Sequence, residues 1–80
     1  MKYIMVRKSN KKIPIIFPND IEHATFRHLP VVSAGFIDIN YKTSSGDCDV
    51  HCFGRSESLN IGSELDDSGI AALFIRDLPY

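Results

Sequence analysis

The chain has 80 residues, of which 44% are hydrophobic and 24% charged, and its formal net charge is −1. This composition excludes intrinsic disorder and any bulk attraction to nucleic acid or to an acidic membrane, and the length fits one domain over residues 1–80. A core of this size leaves little room for a deep catalytic pocket, so we predict a non-enzymatic protein.

The first predicted elements are the two strands of a β-hairpin. Apolar and polar residues alternate over residues 2–7, with Ile4 and Val6 on the side expected to face the core. A short polar loop follows, and the β-branched run 13–17 is the returning strand. Pro14 cannot donate a ladder hydrogen bond, which favours an edge position or a strand start.

A short helix is predicted next, over residues 20–29. Asn19 or Asp20 can cap its start, and a proline follows its end. The two histidines of this segment are expected at its surface or boundary, and they are His23 and His28.

Residues 31–42 and 48–53 are predicted to form a second hairpin. In the first strand, apolar positions such as Ile37 alternate with polar ones such as Asp38, so one face is buried and one faces water. Gly35 interrupts this run, which indicates a bulge or a place where another backbone comes close.

The last predicted element is a helix over about residues 64–78. The segment Ser63-Glu64-Leu65-Asp66 resembles a capping box, with Asp where Glu or Gln is usual. The apolar residues at helical spacing, expected to face the core, are Ile70, Leu73, Phe74 and Leu78. The predicted fold class is therefore α+β, a small antiparallel β-sheet of both hairpins packed against this helix.

The second hairpin also contains the densest group of metal-ligand residue types. Cys48, His51 and Cys52 could begin a zinc site, with His23 or His28 as a further ligand. In a strand, however, the Cα atoms of Cys48 and Cys52 lie roughly 13 Å apart, and His51 points to the opposite face. We therefore predict no metal and no cofactor, and two buried thiols instead.

Charge is unevenly placed along the chain. The first twelve residues contain five cations and no acid, whereas the segment from Glu57 onward contains five acids and one arginine. Two faces of opposite sign can meet a partner, although a solvated hairpin and a solvated helix are the simpler interpretation. Gly54-Arg55-Ser56 is either a candidate anion site or an ordinary turn. The candidate partner-binding residues are Lys8, Lys11, Lys12, Arg55, Glu64, Asp66 and Asp67.

The sequence also bears on the compartment. It contains no apolar run near the ~18 residues that a membrane span needs, and its start lacks an apolar signal region. Two cysteines do not make a disulfide framework. We therefore expect a cytoplasmic protein with reduced thiols and no membrane association.

Two stretches of the sequence resemble a group of small uncharacterised proteins encoded by bacteriophages and prophages. They are Pro30-Val31-Val32-Ser33-Ala34-Gly35-Phe36 and Cys52-Phe53-Gly54-Arg55-Ser56-Glu57-Ser58-Leu59. The Ile16-Phe17-Pro18 step and the acidic C-terminal segment are similar to that group as well. The resemblance implies no catalytic residues. It implies a mobile-element context, in which a small protein binds and inhibits a host protein, including a host defence complex in the manner of an anti-CRISPR protein, in the cytoplasm of an infected or lysogenic bacterium.

The predicted function is therefore stoichiometric binding and modulation of a host protein. The first alternative is a nucleic-acid-binding or DNA-mimicking regulator, because the lysine-rich hairpin favours binding and the acidic C-terminal third favours mimicry. The second alternative is a metal- or thiol-dependent enzyme, for which the sequence marks no activated thiolate.

A homodimer is also predicted. A sheet covered by one helix leaves its other face open, and exposed apolar faces mark association surfaces. The residues expected on that open face are Tyr3, Met5, Phe36 and Phe53. The competing account is that segments 20–29 and 55–62 of the same chain fold over it.

Overall fold

The computed structural model describes residues 1–41 and 48–77, with only the backbone of Tyr41 and Cys48. Its main sheet is antiparallel and contains β1 (Lys2–Lys8), β2 (Lys11–Phe17), β3 (Val31–Tyr41) and β4 (Cys48–Phe53), in the order β2-β1-β3-β4. A second, two-stranded sheet pairs β5 (Arg55–Ser56) with β6 (Ile61–Gly62). A 3₁₀ helix spans His23–Phe26, and helix α1 spans Asp67–Arg76. The α+β class and both predicted hairpins are confirmed.

The first hairpin closes through a two-residue loop. Lys8 pairs with Lys11, and the intervening Ser9 and Asn10 have φ values of 53° and 64°. Positive φ at both loop positions matches the twist of the flanking strands, and Asn tolerates this conformation. Pro14 lies in β2 at the edge of the sheet, as its missing N–H predicts.

The two hairpins join through β1 and β3, and Gly35 lies at this junction. A Cβ atom at this position would lie 2.3 Å from the Phe53 carbonyl oxygen, so no side chain fits there. The prediction that another backbone comes close to Gly35 is confirmed.

Both faces of the sheet are covered by the chain itself. Helix α1 covers one face, whose buried cluster contains Tyr3, Met5, Ile37, Cys52 and Ala71. The 3₁₀ helix region and the second sheet cover the other face, where Phe26, Leu29, Leu59 and Ile61 pack on Ile4, Phe17 and Ala34. The competing account, cover by segments 20–29 and 55–62, is therefore what the structure shows.

The prediction that Tyr3, Met5, Phe36 and Phe53 share one open apolar face was wrong. Tyr3 pairs with Gly35 and Lys2 pairs with Phe36, so Tyr3 and Phe36 lie on opposite faces of the sheet. Tyr3 and its neighbour Ile4 are both fully buried, because β1 is a central strand with cover on both sides. Alternation along one strand cannot reveal this.

Both helices differ from their predicted extents. The helix predicted over 20–29 is only the four-residue 3₁₀ helix, and α1 begins at Asp67 rather than at residue 64. The predicted end at Leu78 lies outside the described residues. The buried side of α1 consists of Asp67, Ala71 and Ile75, whereas Leu73 and Phe74 are exposed, so their predicted core-facing role was wrong. The described segments contain no helix with the length and apolar character that a bilayer crossing requires.

Candidate functional site

The carboxylate of Asp67 is the most heavily hydrogen-bonded side chain described. It is fully buried beneath the first turn of α1. Oδ1 accepts from Lys12 Nζ at 2.8 Å and from Ser33 Oγ at 3.0 Å. Oδ2 accepts from the Tyr3 hydroxyl at 2.5 Å and from the Glu64 backbone N–H at 2.9 Å. The carboxylate thus ties α1 to three strands of the main sheet.

The strand register places these donors side by side. Met5 pairs with Ser33, so Tyr3 and Ser33 lie on the same face of neighbouring strands. Lys12 lies on the adjacent edge strand β2 and has the same facing as Ile16, which packs against the cluster under α1. Three polar side chains therefore converge where the helix begins.

The pKa values follow from this arrangement. Burial opposes ionisation of Asp67, but the hydrogen bonds from the Glu64 N–H and from three side chains outweigh it and lower its pKa. Burial and the hydrogen bond to Asp67 raise the pKa of Tyr3. Burial alone would lower the pKa of Lys12, but hydrogen bonds to three carboxylates raise it. At neutral pH the Asp67–Lys12 pair is ionised and Tyr3 is neutral.

The ammonium group of Lys12 contacts the acidic side chains at the start of α1. Its Nζ lies 2.8 Å from Glu64 Oε1, 2.9 Å from Asp66 Oδ1 and 2.8 Å from Asp67 Oδ1. Oxygens of these three carboxylates come close enough to one another to hold a metal ion. The ammonium takes the place between them that a cation would need. It neutralises one of the three negative charges, and the Glu64 and Asp66 side chains remain more than half exposed.

Four of the seven candidate partner-binding residues therefore meet each other. Asp67 is fully buried and the Lys12 side chain is only 13% exposed, so neither presents its charge to a partner. The expected faces of opposite sign meet here inside one chain, which lowers the surface charge available for nucleic-acid binding or for mimicry. Lys8 and Lys11 are exposed at the hairpin end, and their partner-binding role stays a prediction.

Arg55 lies apart from this cluster, on the second sheet. Its Nη2 donates to Asn60 Oδ1 at 2.5 Å, and its Nε lies 3.7 Å from Glu57 Oε1. Gly54 has a φ of 74°, and its carbonyl accepts from the Ser63 N–H. Arg55 and Ser56 therefore form strand β5 rather than an ordinary turn, with a bend at Gly54 before it, and the anion-site role of this segment stays a prediction.

The cysteine and histidine positions follow the predicted alternation in β4. Cys52 is buried, and burial raises the pKa of its thiol. His51 is exposed on the opposite face. The side chain of Cys48 lies outside the described residues. His23 is buried between the rings of Phe17 and Phe36 and bonds the Gly35 carbonyl, so its predicted surface position was wrong.

Helix α1 has an exposed apolar surface that the helical spacing of the sequence did not predict. Leu73 is 52% exposed and Phe74 is 41% exposed. With the half-buried Ile70 they follow i, i+3, i+4 spacing, and Asp66 and Asp77 lie on the same side at i−4 and i+7 relative to Ile70. We call these five residues the α1 flank.

No protein-family model, curated protein or solved structure matches the chain. Its function is therefore inferred from the residues described above.

Proposed function

We propose that the chain is a non-enzymatic protein that binds a host protein, and that the α1 flank is its contact surface. The observation that carries this proposal is the exposure of Leu73 and Phe74 on the only α-helix of the described segments. Large apolar side chains at i, i+3 and i+4 are the anchors by which a helix enters an apolar groove. A chain of 80 residues that leaves two such side chains in water has another use for them than its own core.

The state of the polar groups supports a binding role rather than a catalytic one. Tyr3, Ser33 and Lys12 direct their donor atoms to Asp67, and with the Glu64 N–H they give each carboxylate oxygen two hydrogen bonds. In the described part of the chain, no buried side-chain nitrogen or oxygen lacks a partner. A catalytic group needs a functional atom that can face a substrate, and the buried groups of this cluster are committed to each other.

The charges beside the flank indicate the chemistry of the partner. Asp66 and Asp77 lie at the two ends of the apolar row formed by Ile70, Leu73 and Phe74. Each carboxylate has a cation of the chain beside it, Lys12 at 2.9 Å from Asp66 and Arg76 at 3.8 Å from Asp77, but both side chains are more than half exposed. A groove with an apolar floor and basic rims would therefore complement this arrangement. The phage resemblance of the sequence supports a bacterial host protein as the partner, and a host defence complex that handles nucleic acid offers basic surfaces of this kind.

The test is capture from a bacterial lysate with the tagged protein and two matched variants. Leu73→Ser removes an anchor from the α1 flank, while Leu65→Ser removes the same side chain from the fully exposed position before the helix. Wild type and L65S should retain a stoichiometric partner, and L73S should lose it. Far-UV circular dichroism checks that each variant is folded.

Two outcomes would contradict the proposal. Equal recovery of the partner by L73S would remove the α1 flank as the contact surface, and failure of all three proteins to retain any stoichiometric partner would remove the binding role. Sedimentation of the wild type and L73S separates self-association from partner binding, because a homodimer through the flank would show a mass that falls to the monomer in L73S.

A further inference from the structure

A row of aromatic rings crosses the sheet on the face away from α1. His51 and Phe53 are two residues apart on β4, and their rings are nearly parallel with centroids 5.4 Å apart. Phe36 pairs with Phe53 across β3 and β4, and these rings stack with centroids 6.0 Å apart. His51 is exposed and Phe53 is 39% exposed, so the row is open to solvent at this end.

The other end of the row opens into a surface depression of about 450 Å³. Phe36 and His23 supply its aromatic wall. The rest of the lining is polar and consists of two cations, two carboxylates and one hydroxyl, which are Lys2, Arg55, Glu22, Glu57 and Ser58. The depression thus combines two aromatic rings at right angles with charged groups of both signs, within the volume range of small-molecule sites.

The aromatic wall is held in place by its surroundings. His23 contacts Phe36 edge-on, with ring centroids 5.8 Å apart. A Cβ atom on Gly54 would lie 3.1 Å from the Phe36 ring, so the ring fills the space that the glycine leaves. A ring fixed in this way loses little freedom when a ligand stacks on it.

We propose that this depression binds one nucleoside phosphate, with the base against the Phe36 ring and the phosphate at Lys2 and Arg55. Base–aromatic stacking supplies affinity without selecting a particular base. Arg and Lys supply the charge-assisted hydrogen bonds that a phosphate accepts. The carboxylates of Glu22 and Glu57 are acceptors for the ribose hydroxyls. An apolar site or a purely basic site would lack such acceptors.

Both cations keep donors for the phosphate. Lys2 Nζ donates one hydrogen bond, to the Ile21 carbonyl at 3.1 Å, and an ammonium has three donors. Arg55 Nη2 donates to Asn60 and its Nε lies 3.7 Å from Glu57 Oε1, and a guanidinium has five N–H groups. These existing bonds hold the two side chains at the rim of the depression without using up their capacity.

The charge balance favours a single nucleotide over a nucleic-acid strand. The two cations of the depression are matched by two carboxylates, and Asp38 and Asp49 lie beside the far end of the ring row. Binding to a strand gains its affinity from several phosphates neutralised at once, and this surface has no continuous basic track for them.

The test is a ¹H–¹⁵N NMR titration of the whole protein with AMP, adenosine, inorganic phosphate and a short oligoadenylate, each at up to millimolar concentration. AMP should shift the amide signals of Lys2, Phe36 and Arg55 most strongly. Adenosine lacks the phosphate and inorganic phosphate lacks the base, so each should bind at least about tenfold more weakly than AMP. No shifts at these residues with AMP would overturn the proposal, and so would an oligoadenylate that binds where AMP does not.

Variants separate the two halves of the site. Arg55→Gln should weaken AMP binding about tenfold while the shifts with adenosine persist. Phe36→Leu should weaken both, and Phe74→Leu, which removes an exposed ring on α1 on the other face of the sheet, should leave AMP affinity unchanged. Equal affinity of R55Q and wild type for AMP would refute the phosphate position, whether or not F36L folds.

Discussion

Replacing Asp67 by Asn tests whether the buried carboxylate holds α1 on the sheet. Asparagine keeps the volume and one oxygen, so Ser33 and Lys12 can still donate to it, but its NH₂ group then faces the Glu64 N–H. An unpaired backbone donor costs about 1–3 kcal/mol. Lys12 keeps Glu64 and Asp66 as counter-ions, so the change of its buried acceptor from charged to neutral adds only about 1 kcal/mol. An 80-residue domain is stable by only roughly 4–12 kcal/mol. D67N should therefore lose a large part of its free energy of unfolding.

Urea unfolding followed by circular dichroism measures this loss, and Asp66→Asn is its matched control. Both variants remove one carboxylate from Lys12 Nζ at nearly the same distance, 2.9 Å for Asp66 and 2.8 Å for Asp67. Asp66 is 63% exposed, so its loss should cost less than about 1 kcal/mol. If D66N and D67N lower the free energy of unfolding equally, burial and the extra donors do not set the strength of this contact and the reasoning fails.

Three further predictions follow from the same contacts. The pKa of Asp67 in the folded protein lies below its unfolded value of about 4. The contribution of Asp67 to the stability of the fold is therefore complete above about pH 4 and is lost as the pH falls through the folded pKa. Urea unfolding at acidic pH should show a smaller pH dependence in D67N than in the wild type. In a Cys48→Ser background, Cys52 should react slowly with a thiol reagent in the folded state and rapidly in urea, and rapid native labelling would contradict its burial. Gly35→Ala should prevent folding or lower the free energy of unfolding by several kcal/mol, because its Cβ atom would meet a backbone oxygen at 2.3 Å. Gly69→Ala has open space around its Cβ position in α1 and should raise stability by about 0.5–1 kcal/mol. Thermal melts of both variants check the contrast.

The local pattern of the sequence predicted the strands well. Strand β4 has the predicted bounds, and β1 ends one residue after its predicted end. β2 begins at Lys11 rather than at residue 13, because the tight two-residue loop lets Lys11 and Lys12 pair as well. Turn residues and period-two alternation act over a few neighbours, and these features can be predicted from a short window of sequence.

The features that the sequence did not predict depend on long-range packing. Asp67 was predicted as a partner-binding residue, because a carboxylate is almost never buried without donors and its donors come from distant strands. Leu73 and Phe74 were assigned to the core, since helical spacing fits several faces and only the packing of α1 selects the one with Ala71 and Ile75. His23 is buried through its contact with Gly35, which alternation within its own segment does not reveal.

The contact between Lys12 and Asp67 also orders events during translation. The two residues are separated by 55 positions, so the ribosome makes Lys12 long before its buried counter-ion. Until then, β1 and β2 can pair locally, but the side of the hairpin that α1 covers stays open to water. The nascent chain therefore carries an uncovered apolar strand pair until α1 emerges from the exit tunnel, and a ribosome that stalls before this point releases a fragment prone to aggregation.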